Sequence, residues 1–200
     1  MIVLGLTGSI GMGKTTVAGL FSEAGVPVFE ADTAVHALYK SAAVPMIEAE
    51  FPGTTRGGEV DRPVLSRAVL GNPEALKRLE DMIHPMVRAM ERQFVEDARA
   101  AGAPLAVIDI PLLLEKAGAD RVDLIAVVSA PFDVQRERVL KRDGMTEEKF
   151  NAVLARQMPD AEKRARADIV IDTSGPIEDT RRAVHDVVKR FTESPDAAKH

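Results

Sequence analysis

The sequence predicts an α/β fold: a five-stranded parallel sheet flanked by helices, with a helical insertion and a basic lid. Three observations lead there. Short apolar runs that read as buried strands alternate with stretches of 3.6-residue periodicity. The first run ends in the glycine-rich segment Gly8 to Thr15, which opens a helix. Later runs end in an acid or a small polar residue, as strands do at the ligand-binding edge of an open α/β sheet.

Ile2-Val3-Leu4-Gly5-Leu6 is the first strand, and Val17, Leu20, Phe21 and Ala24 mark one face of the helix after the loop. The loop, Gly8-Ser9-Ile10-Gly11-Met12-Gly13-Lys14-Thr15, fills the pattern G-x-x-x-x-G-K-[ST] of P-loop NTPases. Backbone N–H groups of Gly11, Met12, Gly13, Lys14, Thr15 and Thr16 are candidates to cradle the phosphates of a nucleoside triphosphate at the helix N-terminus. Lys14 adds a positive charge toward the β- and γ-phosphates, and the Thr15 hydroxyl is a candidate ligand for Mg²⁺.

Val26 to Phe29 reads as the second strand, with Glu30-Ala31-Asp32 at its end. An acid there suits a base acting on a substrate hydroxyl, and it equally suits the N-cap of a helix carrying Val35, Leu38 and Tyr39. Pro52 to Gly58 is loop-like. Val64, Leu65, Ala68 and Val69 suggest a short helix, and Leu76, Leu79, Ile83, Val87, Met90 and Phe94 a long one. This much helix exceeds a simple crossover and points to an inserted acceptor-binding region, 32–103. His84-Pro85 lies within the long helix, where proline predicts a kink or a break. His84 is a polar residue near that kink or a ligand contact.

Leu105 to Ile108 is the third strand, closed by Asp109 in a loose Walker B pattern that makes Asp109 a candidate to orient Mg²⁺. Asp123 to Val128 is the fourth strand. Residues 134–166 then carry Arg136, Arg138, Lys141, Arg142, Arg156, Lys163, Arg164 and Arg166 on short helices, as a lid over phosphates would. Arg138 and Arg142, four apart, are read as phosphate contacts, and Lys163 and Arg164 as a solvated charged face. Asp168 to Asp172 is the fifth strand, and its exit loop Thr173-Ser174-Gly175 is a place for a nucleotide base. Ile177, Val184, Val187, Val188 and Phe191 face inward from a closing helix, and 194–200 reads as a frayed tail. The whole is a single domain, 1–193, with its core in 1–31, 104–133 and 167–193.

Composition limits the partners. A net charge of −5 argues against broad nucleic-acid binding, and no stretch approaches the roughly 20 apolar residues of a membrane span. The absence of cysteine excludes disulfides and thiolate chemistry and suits the cytoplasm. A monomer or weak homo-oligomer is expected.

Taken together, Leu6 to Thr15, Glu30-Ala31-Asp32, His84-Pro85, Pro111-Leu112-Leu113-Leu114-Glu115, Lys141-Arg142-Asp143, Arg156-Gln157 and Ala167 to Asp172 resemble the dephospho-CoA kinase family over nearly the whole chain. The resemblance implies transfer of the ATP γ-phosphoryl group to the ribose 3′-hydroxyl of dephospho-CoA. It implies Asp32 as base, Arg138 and Arg142 as lid contacts, and His84, Leu112, Glu115 and Arg156 toward the acceptor. Met12 and Thr15 stand where the family usually has Ser, Glu30 where Asp is common, Leu114 where Phe is frequent, and Thr173 where Asn often follows the last strand. Another small-molecule or nucleoside monophosphate kinase is the alternative. A GTPase switch fits less well: N-K-x-D is missing, and the one D-x-x-G, Asp172 to Gly175, comes too late in the chain.

Overall fold

The computed structural model describes residues 1–115 and 119–193, so the expected frayed tail at 194–200 lies outside the described residues. In chain order the elements are β1 (Ile2–Thr7), α1 (Lys14–Glu23), β2 (Val28–Glu30), α2 (Ala31–Leu38), α3 (Val44–Glu50), β3 (Thr55–Arg56), β4 (Glu59–Val60), α4 (Arg62–Val69) and α5 (Pro73–Ala100). They continue with β5 (Leu105–Asp109), β6 (Leu124–Ser129), α6 (Phe132–Leu140), α7 (Glu147–Leu154), α8 (Asp160–Ala165), β7 (Ile169–Asp172) and α9 (Ile177–Glu193). By their contacts the residues form two compact units, Met1–Phe29 with Asp97–His200, and Glu30–Glu96.

The five-stranded parallel sheet runs in the order β2-β5-β1-β6-β7. β1 and β5, at its centre, are buried almost throughout, which is why they read as unbroken apolar runs rather than alternating ones. Their register pairs Leu6 with Asp109, and that of β6 and β7 pairs Ser129 with Asp172. The strand ends that carry polar groups are therefore aligned along one edge, where the loop after β1 also begins. At the opposite edge, the carboxylates of Asp123 and Asp168 accept the N–H groups of Val3 and Ile125, each at 2.7 Å. Leu4, Leu6, Val17, Phe21, Val107, Val128, Ile171 and Phe191 form the core where α1 and α9 pack on the sheet.

In the unit Glu30–Glu96 the structure adds detail that the sequence reading lacks. The segment read as a loop at Pro52 to Gly58 forms most of a small antiparallel hairpin, β3 with β4, turning at Gly57 and Gly58. Glu48 holds it, accepting from Gly53 N at 2.8 Å, Thr55 N at 3.1 Å and Thr55 Oγ1 at 2.6 Å. α3 was not expected; Pro45 in its first turn and buried Ile47 are its signals.

A break at Pro85 does not occur. α5 is one helix of 28 residues that runs through Pro85. The lost hydrogen bond and clash cost about 3 kcal/mol. Burial of Leu79, Ile83 and Val87 on the same stripe contributes about 1.5–3 kcal/mol each, enough to keep the helix whole.

Candidate active site

The loop between β1 and α1 is held by side chains from far along the chain, and residues 10, 11 and 12 are each met in turn. Ile10 accepts from Gln135 Nε2 at 2.7 Å and donates its N–H to Gln157 Oε1 at 3.1 Å. Gly11 has φ +77°, and a Cβ there would lie 2.4 Å from Val139 Cγ2, so only glycine lets α6 approach. Met12 is buried; its Sδ accepts from Ala130 N at 3.1 Å and its carbonyl from Thr173 Oγ1 at 2.7 Å. Gly13, at φ +88°, turns the chain into α1, whose N-terminus no side chain caps. Thr15 and Thr16 in the first turn of α1 are exposed. An uncapped helix N-terminus reached through a left-handed glycine suits polyphosphate, the ligand this loop pattern anticipates.

Lys14 and Asp109 form an ion pair in which the side chains are 15% and 8% exposed. The acid at the end of β5 is thus within reach of the loop lysine, consistent with its place opposite Leu6 in the sheet register. Thr7 Oγ1 donates to Pro111 O at 3.1 Å, which fixes the start of the segment Pro111 to Glu115 beside β1. In that segment Leu113 is buried and Leu112 half-buried.

Two readings of the basic segment change. Lys163 is not part of a solvated face: its side chain is fully buried, and Nζ lies 2.8 Å from Glu115 Oε1, whose side chain is 13% exposed. The same Oε1 accepts from Met158 N at 3.0 Å. The interleaved acids around Lys163 suggested a solvent face, but its counter-charge comes from 48 residues earlier in the chain, where helical spacing does not look. Secondly, α6 stops at Leu140, so the shared helical face expected for Arg138 and Arg142 does not extend to Arg142. Arg138 donates Nη1 to Thr173 Oγ1 at 3.1 Å and Nη2 to Thr173 O at 2.5 Å. Arg142 and Arg156 are exposed just beyond the ends of α6 and α7.

Asp32 lies in the first turn of α2, exposed, and among the described residues no hydrogen bond or ion pair engages its carboxylate. The N-cap of α2 is Glu30, whose side chain caps nothing and instead accepts from Thr33 Oγ1 at 3.0 Å. The capping alternative for Asp32 is therefore not realised. His84 is half-buried in α5.

A cavity of about 670 Å³ lies within the unit that holds the phosphate loop, bounded among others by Ser9, Met12, Pro131, Met158, Asp160 and Val170. Ser9 and Met12 bring the loop to its wall, while Lys14 and Thr15 do not line it. Among the described residues no group of three or more His, Cys, Asp or Glu side chains is arranged to hold a metal, and no helix is long and apolar enough to cross a membrane.

Comparison with known proteins settles the family. The family profile described as dephospho-CoA kinase matches residues 2–179. The chain belongs to the dephospho-CoA kinase family. It is a P-loop kinase. Among curated relatives, the dephospho-CoA kinase of Rhodopseudomonas palustris is 57% identical over 195 residues, 98% of each chain. That of Brucella melitensis is 57% identical over 198 residues, 99% of each. Among solved structures, TT1252 from Thermus thermophilus superposes with a TM-score of 0.80 at 38% identity, covering 96% of this chain and 98% of that one. Sequence reasoning missed Gln135 and gave Gln157 no role; it read Lys163 as solvent-facing and placed Thr173 only in a loop suited to a nucleotide base. Gln157 stood inside a family motif and Thr173 at a departure from one, and those are the signals that mark them.

Proposed function

We propose that this chain transfers the γ-phosphoryl group of ATP to the ribose 3′-hydroxyl of dephospho-CoA, the last step of coenzyme A biosynthesis. The family match over residues 2–179, on a loop whose glycines adopt the conformations phosphate binding needs, carries this reading. Phosphoryl transfer asks the protein mainly to position groups and neutralise charge. Asp32 takes the proton of the attacking hydroxyl; its free, exposed carboxylate supports that role. The hydroxyl oxygen then bonds to the γ-phosphorus as the bond to the β-γ bridging oxygen breaks, and ADP leaves.

Backbone N–H groups of Gly11 to Thr16 hold the phosphates, Lys14 and Arg138 offset the charge that develops on them, and Arg142 approaches from the solvent side. Mg²⁺, when bound, neutralises charge across the β- and γ-phosphates. The Thr15 hydroxyl and the Asp109 carboxylate are oxygen donors of the kind that would hold it, and Asp109 is paired with Lys14. His84, Leu112 and Arg156 are assigned to the acceptor, and Glu115 to the segment that faces it. The chain is taken to work in the cytoplasm as a monomer or weak homo-oligomer, without nucleic acid; its net charge of −5 and lack of cysteine agree.

The test is a panel of acceptors with ATP and Mg²⁺: dephospho-CoA, nucleoside monophosphates and shikimate. Formation of coenzyme A, with the new phosphate located on the 3′-oxygen by ³¹P NMR, supports the proposal. Turnover of a nucleoside monophosphate in preference to dephospho-CoA would overturn it.

A further inference from the structure

We infer that Thr173 is a positioning residue: its hydroxyl joins Arg138 to the phosphate loop and sets the direction of the Gly13 N–H. Thr173 is buried at the exit of β7 and lies between three groups. Its Oγ1 accepts from Arg138 Nη1 at 3.1 Å and donates to the Met12 carbonyl at 2.7 Å. The Ser129 carbonyl, at 3.4 Å, is the weaker alternative acceptor for the same proton. One donated and one accepted bond engage the single O–H and one of the two lone pairs of the hydroxyl. A charged donor on the oxygen polarises the O–H and strengthens its donation to Met12.

The consequence follows from peptide geometry. In a planar trans peptide the C=O and the next N–H point in opposite directions, and no peptide bond among the described residues is cis. With the Met12 carbonyl held on Thr173, the Gly13 N–H, in the same plane, points the opposite way, away from Thr173. Gly13 is at φ +88°, and a Cβ on it would lie 3.3 Å from Thr173 Oγ1, so the two residues are in close register. α6 presents Gln135 to Ile10 and Val139 to Gly11, but it has no side chain on the Met12 carbonyl; Thr173 fills that place on behalf of Arg138. Arg138 is thereby docked through two bonds to one residue, whereas Arg142 stands exposed.

This inference rests on the proposed role of the loop and Arg138 at ATP phosphates. It is tested on the full chain with Thr173→Val, Thr173→Ser, Arg138→Ala and the double variant Thr173→Val/Arg138→Ala. ATP affinity is measured by calorimetry without acceptor, then KM and kcat with dephospho-CoA, and thermal melts confirm folding. Loss of one charge-assisted bond in the chain predicts about a tenfold weaker ATP affinity in Thr173→Val. KM for dephospho-CoA stays within about twofold, and Thr173→Ser stays within about threefold of wild type for ATP. The double variant loses at least about threefold less than the product of the two single losses, because Thr173→Val already misplaces Arg138.

Wild-type ATP affinity in Thr173→Val, a Thr173→Ser variant as weak as Thr173→Val, or strictly multiplicative losses would each overturn the inference. If ATP affinity follows the expected pattern while dephospho-CoA is not phosphorylated, the inference stands and the proposed acceptor fails.

Discussion

The pair Lys163 and Glu115 carries the sharpest stability prediction. Lys163 is fully buried, and its ammonium faces a carboxylate that is itself mostly buried. Taking one partner from such a pair costs about 3–5 kcal/mol, because the other charge is left without water or counter-ion. The two single variants are not equivalent. Glu115→Gln keeps an Oε1 that can accept from Met158 N, so it isolates the charge, and it strands an ammonium with no exposure. About 3 kcal/mol is expected, which for a domain of this size lowers Tm by about 6–12 °C. Lys163→Met strands a carboxylate that keeps some contact with solvent, so its cost is lower, about 1–3 kcal/mol. Glu115→Gln/Lys163→Met strands no charge at all, and its loss falls short of the sum of the singles by about 1–3 kcal/mol. Urea unfolding at pH 7 and 25 °C, with m-values compared across the four proteins, measures all of this. A Glu115→Gln variant within about 1 kcal/mol of wild type, or strictly additive losses, refutes the reasoning.

Asp32→Asn should lower kcat by about 10²- to 10⁴-fold while ATP affinity stays close to wild type; an unchanged kcat removes Asp32 from the base role. Lys14→Ala should weaken ATP binding and turnover together, and calorimetry beside steady-state kinetics would reveal either effect alone. Glu48 accepts from the Thr55 hydroxyl and from the Gly53 N–H, which hold its carboxyl below the ordinary 4.5. A depressed folded-state value means stability that is present above 4.5 and lost as pH falls through the folded value. Glu48→Gln should therefore be less stable than wild type at pH 7, and the difference should shrink as pH falls below 4.5; a constant difference in urea melts would show that the charge plays no part.

What the sequence discloses depends on the range over which its causes act. All five sheet strands and α1 were legible because short apolar runs, buried on both faces in β1 and β5, and helical periodicity are written in contiguous residues. The hairpin of β3 and β4 was not, since strands of two residues leave no alternation to read. Pro85 leaves α5 unbroken for an instructive reason: its cost is local and visible, while the apolar stripe that outweighs it is spread along the helix. In the site, Lys14 and Asp109 were both named from local motifs, and the structure brings them together. Lys163 and Thr173 were misjudged or left open because their partners, Glu115 and Met12, are 48 and 161 residues away. Only the fold's topology brings these pairs together.

The ion pair of Lys14 and Asp109 has a meaning that neither residue carries alone. A lysine only 15% exposed and an aspartate 8% exposed must each have a counter-charge when no nucleotide is present, or bear the cost of burial. Each supplies it to the other. A polyphosphate arriving at the N-terminus of α1 offers Lys14 more negative charge than one carboxylate does, and it brings a divalent cation that a freed carboxylate attracts. On the proposed function an exchange of partners would keep both charges compensated, the Lys14 ammonium turning to phosphate and the Asp109 carboxylate to the metal. The end of β5 suits such a carboxylate because register sets Asp109 opposite Leu6, just before the loop begins. The loose Walker B acid would then have two uses, as counter-ion to Lys14, which the structure shows, and as an oxygen donor toward Mg²⁺, which the proposal adds.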